Sequence, residues 1–230
     1  MAMAEPMRMN TGPAPMPTDP RLLILTQWLS PAYPTGAFAW SHGLEAAIHA
    51  GWVRDAQSLQ DWLEDLLTDG SGRSDAIFIA LAETCGTPKA LRALDQTARA
   101  FCASSERVKE SERQGAAFAR VTRDVWALDL PDCLLPVAVG RAAHLVSLPV
   151  PEVTALYLQN FASNLIAAAQ RLMPLGQTDA QGVLARLTPL CASVAAETEN
   201  ASEDDLCSSC FLSDIAAMKH ETQEPRLFQA

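Results

Sequence analysis

The sequence predicts an all-α fold, a single helical bundle of roughly ten helices joined by short loops. Three observations predict it. Alanine fills 39 of the 230 positions, and alanine loses no side-chain entropy in a helix. Apolar residues recur every three or four positions in one segment after another. No segment alternates with period two for long, and no strand–helix repeat appears. With 49% apolar and 19% charged residues the balance is globular,. A chain of this size buries about 70% of its extended surface, enough for a core without disulfide or metal staples.

The elements follow in order. Residues 1–20 are rich in Met and Pro without a period, and a disordered tail is expected there,. An apolar run over 21–29 stops at Ser30-Pro31, and Pro31, Pro34 and Gly36 make a tight connector,. Trp40, Leu44 and Ile48 repeat every four residues, and Gly51 ends that helix. Ser58 is expected to cap a helix over 59–67, ended by Asp69-Gly70-Ser71-Gly72. Two helices at 74–85 and 88–103 flank Gly86-Thr87-Pro88.

The stretch 105–128 is the clearest amphipathic helix, with Val108, Gly115, Phe118 and Val125 on one face,. Gly115 there costs about 1 kcal/mol against Ala, which a close helix crossing would explain. Pro131 and Pro149-Val150-Pro151 bracket a helix at 133–147, and the next runs over 151–172 to Pro174-Leu175-Gly176. Thr178 and Gln181 have capping-box spacing before a helix carrying Val183, Leu187, Leu190 and Val194,. Residues 197–213 read as an acidic loop, 213–219 as a short helix, and the rest as an extended tail ending at Ala230. The expected organisation is a tail (1–20), one all-α domain (21–220) and a partner-docking tail (221–230).

The net charge is −10 and the pI about 4.8, which argues against general binding to nucleic acid or anionic lipid. The charge is uneven: Glu197, Glu199, Glu203, Asp204 and Asp205 crowd one segment, while Arg107, Lys109, Arg113, Arg120 and Arg123 enrich the amphipathic helix. Four of the six cysteines (85, 102, 133, 191) lie in apolar helical contexts, where a free thiol behaves as a small hydrophobe,. No apolar signal-peptide core and no run of 18 apolar residues is present, so a cytoplasmic location is expected.

Catalytic signatures are missing. Gly70-Ser71-Gly72-Arg73 lacks the Lys-Ser/Thr of a phosphate loop, and no HExxH, GxSxG or dinucleotide fingerprint appears,. His42, Glu45 and His49 have i, i+3, i+7 spacing, which suits either three nickel or zinc ligands or a polar helix face,. Cys207-Ser208-Ser209-Cys210 reads as inert loop thiols, as a metal pair joined by His220 and Asp204, or as a redox pair,. Asn160 and Asn164, with Tyr157 and Arg171 nearby, form a polar seam that Gln177 and Gln181 extend. Such a seam is either an internal network or the lining of an interface or wet channel. The end, His220-Glu221-Thr222-Gln223-Glu224-Pro225-Arg226-Leu227-Phe228-Gln229-Ala230, places an Arg and two apolar anchors together. Its composition suits docking on a partner, packing on its own fold, or disorder.

Several blocks together resemble the UreF family of urease accessory proteins. They are Ser30-Pro31-Ala32 with Pro34, Gly36 and Phe38; Ser41-His42-Gly43-Leu44-Glu45; Arg113-Gln114-Gly115 with Phe118; Asn164-Leu165 followed by Ala168, Arg171-Leu172 and Pro174-Leu175-Gly176-Gln177; and His220-Glu221-Thr222 with Arg226-Leu227-Phe228. The resemblance implies an all-α homodimer without a reaction centre or cofactor. It implies an adaptor that bridges UreD (UreH in some systems) and the nickel-carrying GTPase UreG. That assembly docks on apo-urease and helps nickel reach the active site in a GTP-dependent step. Regulation of the GTPase and an internal passage for nickel are also implied, and the basic helix offers several candidate arginine fingers, Arg113 and Arg120 among them,. On this reading Arg226, Leu227 and Phe228, with His220 and Glu221, dock UreD. Pro34, Gly36, Ser41, Gly43 and Glu45 form a structured block near an interface. The alternative is a nickel or zinc carrier using His42, Glu45 and His49, or Cys207, Cys210 and His220. The family tail often ends Arg-Leu-Phe-Arg-Ser, with an aromatic two residues before the first Arg; here Gln229-Ala230 and Glu224 stand instead. The family also admits Gln where His42 stands, and the Cys207–Cys210 pair lies outside its pattern.

Overall fold

Proline, glycine and polar caps cut the chain into α-helices, and the computed structural model describes residues 19–230 of it. The expected disorder of the N-terminal tail therefore lies almost wholly outside the described residues. Among the described residues there are ten α-helices and no strand.

Helix α1 (Pro20–Trp28) starts where the Asp19 carboxylate accepts a hydrogen bond from the Arg21 N–H, with Pro20 at the first position,. The expected Trp40–Ile48 helix is shorter than its periodicity suggests. Trp40 is extended, and α2 spans only Leu44–His49. The cause is Gly43, whose φ is +76° and whose Cβ would lie 2.7 Å from the backbone nitrogen of Ala217. That turn lets α2 start against a later helix, and no other residue type fits there.

Helix α3 (Ala56–Thr68) is capped by Asp55, not Ser58; Ser58 sits in its first turn and completes a capping box,. Helix α4 (Ser71–Thr84) starts directly after Gly70, so Ser71 and Gly72 open a helix where the sequence suggested a longer break. Helix α5 (Pro88–Ala100) is capped by Thr87, and α6 (Ser105–Trp126) by Ser104. Within α6, Gly115 and Phe118 are buried as expected, but Val125 is exposed: in the last turns Thr122 and Trp126 face the core instead. Helices α7 (Leu135–Leu145) and α8 (Val150–Leu172) follow the proline brackets. Helix α9 (Gln177–Thr198) begins after Gly176 without a side-chain cap, so the Thr178 box does not form. Helix α10 (Phe211–His220) starts two residues before the expected 213.

Helix α4 is the axis of the bundle. It packs on α7, α8, α3 and α9, while α8 and α9 form an antiparallel hairpin. Its Ala76, Ile77, Phe78, Ile79 and Ala82 are buried. Two glycines set the closest crossings. A Cβ at Gly140 of α7 would fall on the carbonyl oxygen of Ile79, and one at Gly115 of α6 on that of Cys133. Trp28, Tyr33, Phe118 and Trp126 form an aromatic cluster that fixes α1 and the following connector against α6,. Among the described residues no helix is long and apolar enough to cross a membrane.

Candidate functional site

The residues singled out at the two ends of the sequence meet in space. Ser41 and Glu45 come from the block around α2, His220 ends α10, and residues 226–230 fold back across them. The tail runs beside residues 39–41: the Gln229 N–H donates to the Ala39 carbonyl at 2.9 Å, and the Ser41 N–H donates to the Ala230 carbonyl at 2.5 Å. The Ser41 hydroxyl donates to the same carbonyl at 2.6 Å.

Glu45 is the anchor. Its carboxylate accepts from the Leu227 N–H at 2.6 Å and the Phe228 N–H at 2.9 Å, and faces His220 Nε2 at 3.2 Å. The other ring nitrogen, Nδ1, lies 2.7 Å from Glu106 of α6. Arg226 donates to the second oxygen of Glu106 at 2.5 Å. His220 is 0% exposed and Phe228 4%. The Phe228 ring lies under the Arg171 guanidinium at 4.4 Å, and Arg171 donates to the Phe38 carbonyl,. Arg113 donates to the Gln229 side chain and stacks over Trp40.

Glu221 has another task. It accepts from the Ser105 hydroxyl and N–H and from the Glu106 N–H, at the start of α6. Those bonds, the Ser105 hydroxyl foremost, hold its carboxyl below the usual range, and a carboxylate suits a helix N-terminus.

Of the three fates open to the tail, packing on its own fold is the one observed. Leu227 remains 56% exposed. Pro34 and Gly36 lie apart from this seat, in the wall of a cleft of about 380 Å³ floored by Asn160 and Asn164. Both amides are half-buried there. The seam lines an open cleft, and its Arg171 end touches the tail seat. Gln170 and Gln177 bond each other instead of extending it, and Gln181 is exposed.

The two metal-ligand sets are not assembled. His42 precedes α2 with φ +59°, so it does not share a helix face with Glu45 and His49. Its Nε2 lies 2.6 Å from the Ser71 hydroxyl, and burial holds the ring well below the usual imidazole value. His49 is exposed, and Glu45 is taken up by the tail. The Cys210 thiol donates to the Asp65 carbonyl, and burial pushes its pKa up to about 11. His220 is enclosed by glutamates, away from Cys207, which is exposed. Among the described residues no group of three or more His, Cys, Asp and Glu side chains is placed to hold a metal ion.

Sequence reasoning missed a second buried polar group. The Tyr157 hydroxyl donates to Asp75 at 2.6 Å, and Arg107 pairs with Glu110 beside them. Burial raises Asp75 to about 6, against the lowering effects of Tyr157 and Arg107. A carboxyl raised from 3.8 to about 6 binds its proton more tightly folded than unfolded. Its contribution is present below about pH 4 and lost as pH rises through about 6. Asp75→Asn is expected to remove that fall and to raise stability at neutral pH by about 1–3 kcal/mol, read by urea unfolding across pH.

The comparisons with known proteins bear on the whole chain. A family model described as UreF matches residues 53–188. The urease accessory protein UreF of Roseobacter denitrificans is 50% identical over 223 residues, covering 97% of this chain and 100% of the relative. The chain belongs to the UreF family. The UreF of Ruegeria pomeroyi is 49% identical over 213 residues, covering 93% and 98% of the two chains. That of Cereibacter sphaeroides is 53% identical over 208 residues, covering 90% and 98%. The UreF model match spans α3 to α8 and the first half of α9. The tail and the block around Ser41 and Glu45 lie outside it, whereas Glu106, Arg113 and Arg171, which complete the seat, lie within it.

Proposed function

We propose that this chain is an accessory protein of urease maturation, a non-enzymatic adaptor that bridges UreD (UreH) and the GTPase UreG. As a cytoplasmic homodimer it docks with them on apo-urease and assists GTP-dependent assembly of the nickel metallocentre. The observation that carries this reading is the near-full-length identity of about half to relatives named urease accessory protein UreF.

The geometry supports an adaptor. Gly70-Ser71-Gly72 serves helix packing: a Cβ at Gly72 would lie 2.8 Å from the Leu66 carbonyl oxygen. GTP chemistry is therefore assigned to a partner. Helix α10 leaves Phe211, Leu212, Ile215 and Met218 exposed, and Leu227 adds a further apolar side chain. Such residues are the usual anchors of a protein interface. In this proposal Leu227 and the outer face of α10 touch UreD. Arg226, Phe228, His220 and Glu221, with Ser41, Gly43 and Glu45, hold that surface in shape. Pro34 and Gly36 present the connector above the Asn160–Asn164 cleft. Arg113 is occupied by the tail, so the exposed Arg120 is the better candidate for acting on UreG.

The test is co-purification of the full chain with UreD, UreG and apo-urease. Leu227→Asp combined with Ile215→Asp keeps every buried tail contact and is expected to lose UreD at least tenfold while helicity is unchanged. Deletion of residues 226–230 is expected to do the same. Retention of UreD at the wild-type level by both variants overturns the docking assignment.

A further inference from the structure

Asn160 and Asn164 line the cleft of about 380 Å³ with nothing to bond. Both are half-buried, and among the described residues neither side chain has a hydrogen-bond partner. A pair that served only to fix helix register would bond to a neighbouring helix. Each amide offers a carbonyl oxygen and an NH2 group, which complement the N–H and C=O of a peptide unit. The two lie one turn apart on α8, about 6 Å along its axis. Alternate residues of an extended chain repeat about every 6.6 Å, so the two amides match the main-chain groups of alternate residues along one edge. Farther along the same face Ala167 and Ala168 leave the cleft open, and Arg171 stands at its end. The Arg171 guanidinium donates to the Phe38 carbonyl and covers the Phe228 ring. Among the described residues no carboxylate pairs with it. Pro34 and the exposed Phe38 ring form the opposite wall.

We propose that this cleft docks an extended segment of a partner protein, held by its main chain on Asn160 and Asn164 and by one carboxylate on Arg171. The charges and the spacing select that occupant. One of the five N–H groups of Arg171 is taken by the Phe38 carbonyl, and a carboxylate is the acceptor that suits the remaining fork. From Asn160 to Arg171 the helix rises about 16.5 Å, which an extended chain covers in about five residues. A helical segment keeps its own N–H and C=O groups bonded and leaves the two amides without partners. The net charge of −10 repels a polyanion, so the segment carries a single carboxylate at Arg171 and not a run of them. Side chains of the docked segment meet Pro34 and Phe38 across the cleft. The site is separate from the outer face of α10, and it stands whether or not that face meets UreD.

The experiment is a titration of the nitrogen-15-labelled full-length chain with two capped peptides, acetyl-Asp-Ala-Val-Ala-Ala-amide and acetyl-Ala-Ala-Val-Ala-Asp-amide, so that either chain direction places a carboxylate at Arg171. The signals followed are the side-chain NH2 groups of Asn160 and Asn164 and the Nε–H of Arg171, at a salt concentration of about 0.15 M. The expected result is a saturable shift of all three groups by one of the peptides, with a Kd on the order of 1 mM. Replacing its Asp by Asn is expected to weaken binding about fivefold, the scale of an exposed ion pair. Methylating its main-chain nitrogens is expected to weaken it at least as much. Asn160→Ala combined with Asn164→Ala is expected to weaken it at least tenfold, with the Phe228 amide signal unchanged. The methylated peptide, used on the unaltered chain, keeps the test independent of how that variant folds. Absence of a saturable shift at the two asparagines with both peptides overturns the proposal. So does equal binding of the methylated peptide, or acetate alone reproducing the shifts, which would reduce the site to a carboxylate contact.

Discussion

Glu45→Ala is expected to detach the C-terminal tail and to destabilise the fold by about 3–5 kcal/mol, the scale for removing one partner of a buried charged group. The carboxylate has three simultaneous roles. It accepts two tail N–H groups and faces the fully buried His220. Its removal leaves the Leu227 and Phe228 N–H groups without an acceptor and leaves His220 with Glu106 alone. The tail can recover its hydrogen bonds by moving into water, whereas the ring cannot, so the loss divides between a mobile tail and a weakened junction of α2, α6 and α10. Denaturant unfolding reads the second part, and amide relaxation at residues 226–230 reads the first. Glu45→Gln separates the two further, since an amide oxygen still accepts from one tail N–H while the charge is gone. A tail that stays rigid in Glu45→Ala, with stability within 0.5 kcal/mol of wild type, would show that Glu45 is not the anchor.

Gly115→Ala is the second large effect expected, and its sign opposes helix propensity. By propensity alone the change gains about 1 kcal/mol. The added Cβ, however, would fall on the Cys133 carbonyl oxygen, with the Leu135 nitrogen at 2.8 Å and the Leu134 carbonyl carbon at 2.9 Å. These are backbone atoms that cannot rotate away, so α6 must shift off the segment leading into α7. Overpacking of this kind costs about 1–3 kcal/mol or somewhat more, and a net loss of about 2 kcal/mol is expected in urea unfolding. Gly182→Ala supplies the control. Gly182 lies inside α9, and its Cβ would meet only the far end of the Arg186 side chain at 3.3 Å. There the same substitution is expected to stabilise by roughly 0.5–1 kcal/mol. Equal effects at the two positions would refute the crossing as the reason for Gly115.

The bundle was legible because its determinants are local. The Gly86-Thr87-Pro88 separator, the prolines at 131, 149 and 151 and the four-residue spacing of apolar side chains act within one or two turns,. Gly115 could be assigned to a close crossing because a glycine in the middle of a strong helix needs a packing reason. The failures are equally specific. The Trp40–Ile48 spacing looked helical, yet Gly43 must abut α10, a contact that spacing cannot reveal. Likewise, Asp55 outcompetes Ser58 as the cap because its carboxylate reaches the Ser58 N–H while the Ser58 hydroxyl turns back to the Asp55 N–H.

The candidate site was half visible. Glu45, Ser41, His220 and the Arg226–Phe228 anchors were singled out, but as two separate blocks facing partners. Glu106 and Arg171 were missed as members of the seat, since each reads as one more charge on a helix. His42, Glu45 and His49 shared a plausible ligand spacing that vanished once His42 fell outside α2.

By itself the sequence determined the helical class, most of the breaks, the tight crossing at Gly115 and, through its motifs, membership of the UreF family. Only the tertiary structure decided that Glu45 meets His220 and the tail, that His220 is enclosed between two carboxylates, and that Asp75 and Tyr157 share a partly buried bond. Helix formation is settled by neighbours a few positions apart, whereas these pairings join residues separated by 82 to 183 positions, and which distant charges meet depends on how the helices pack.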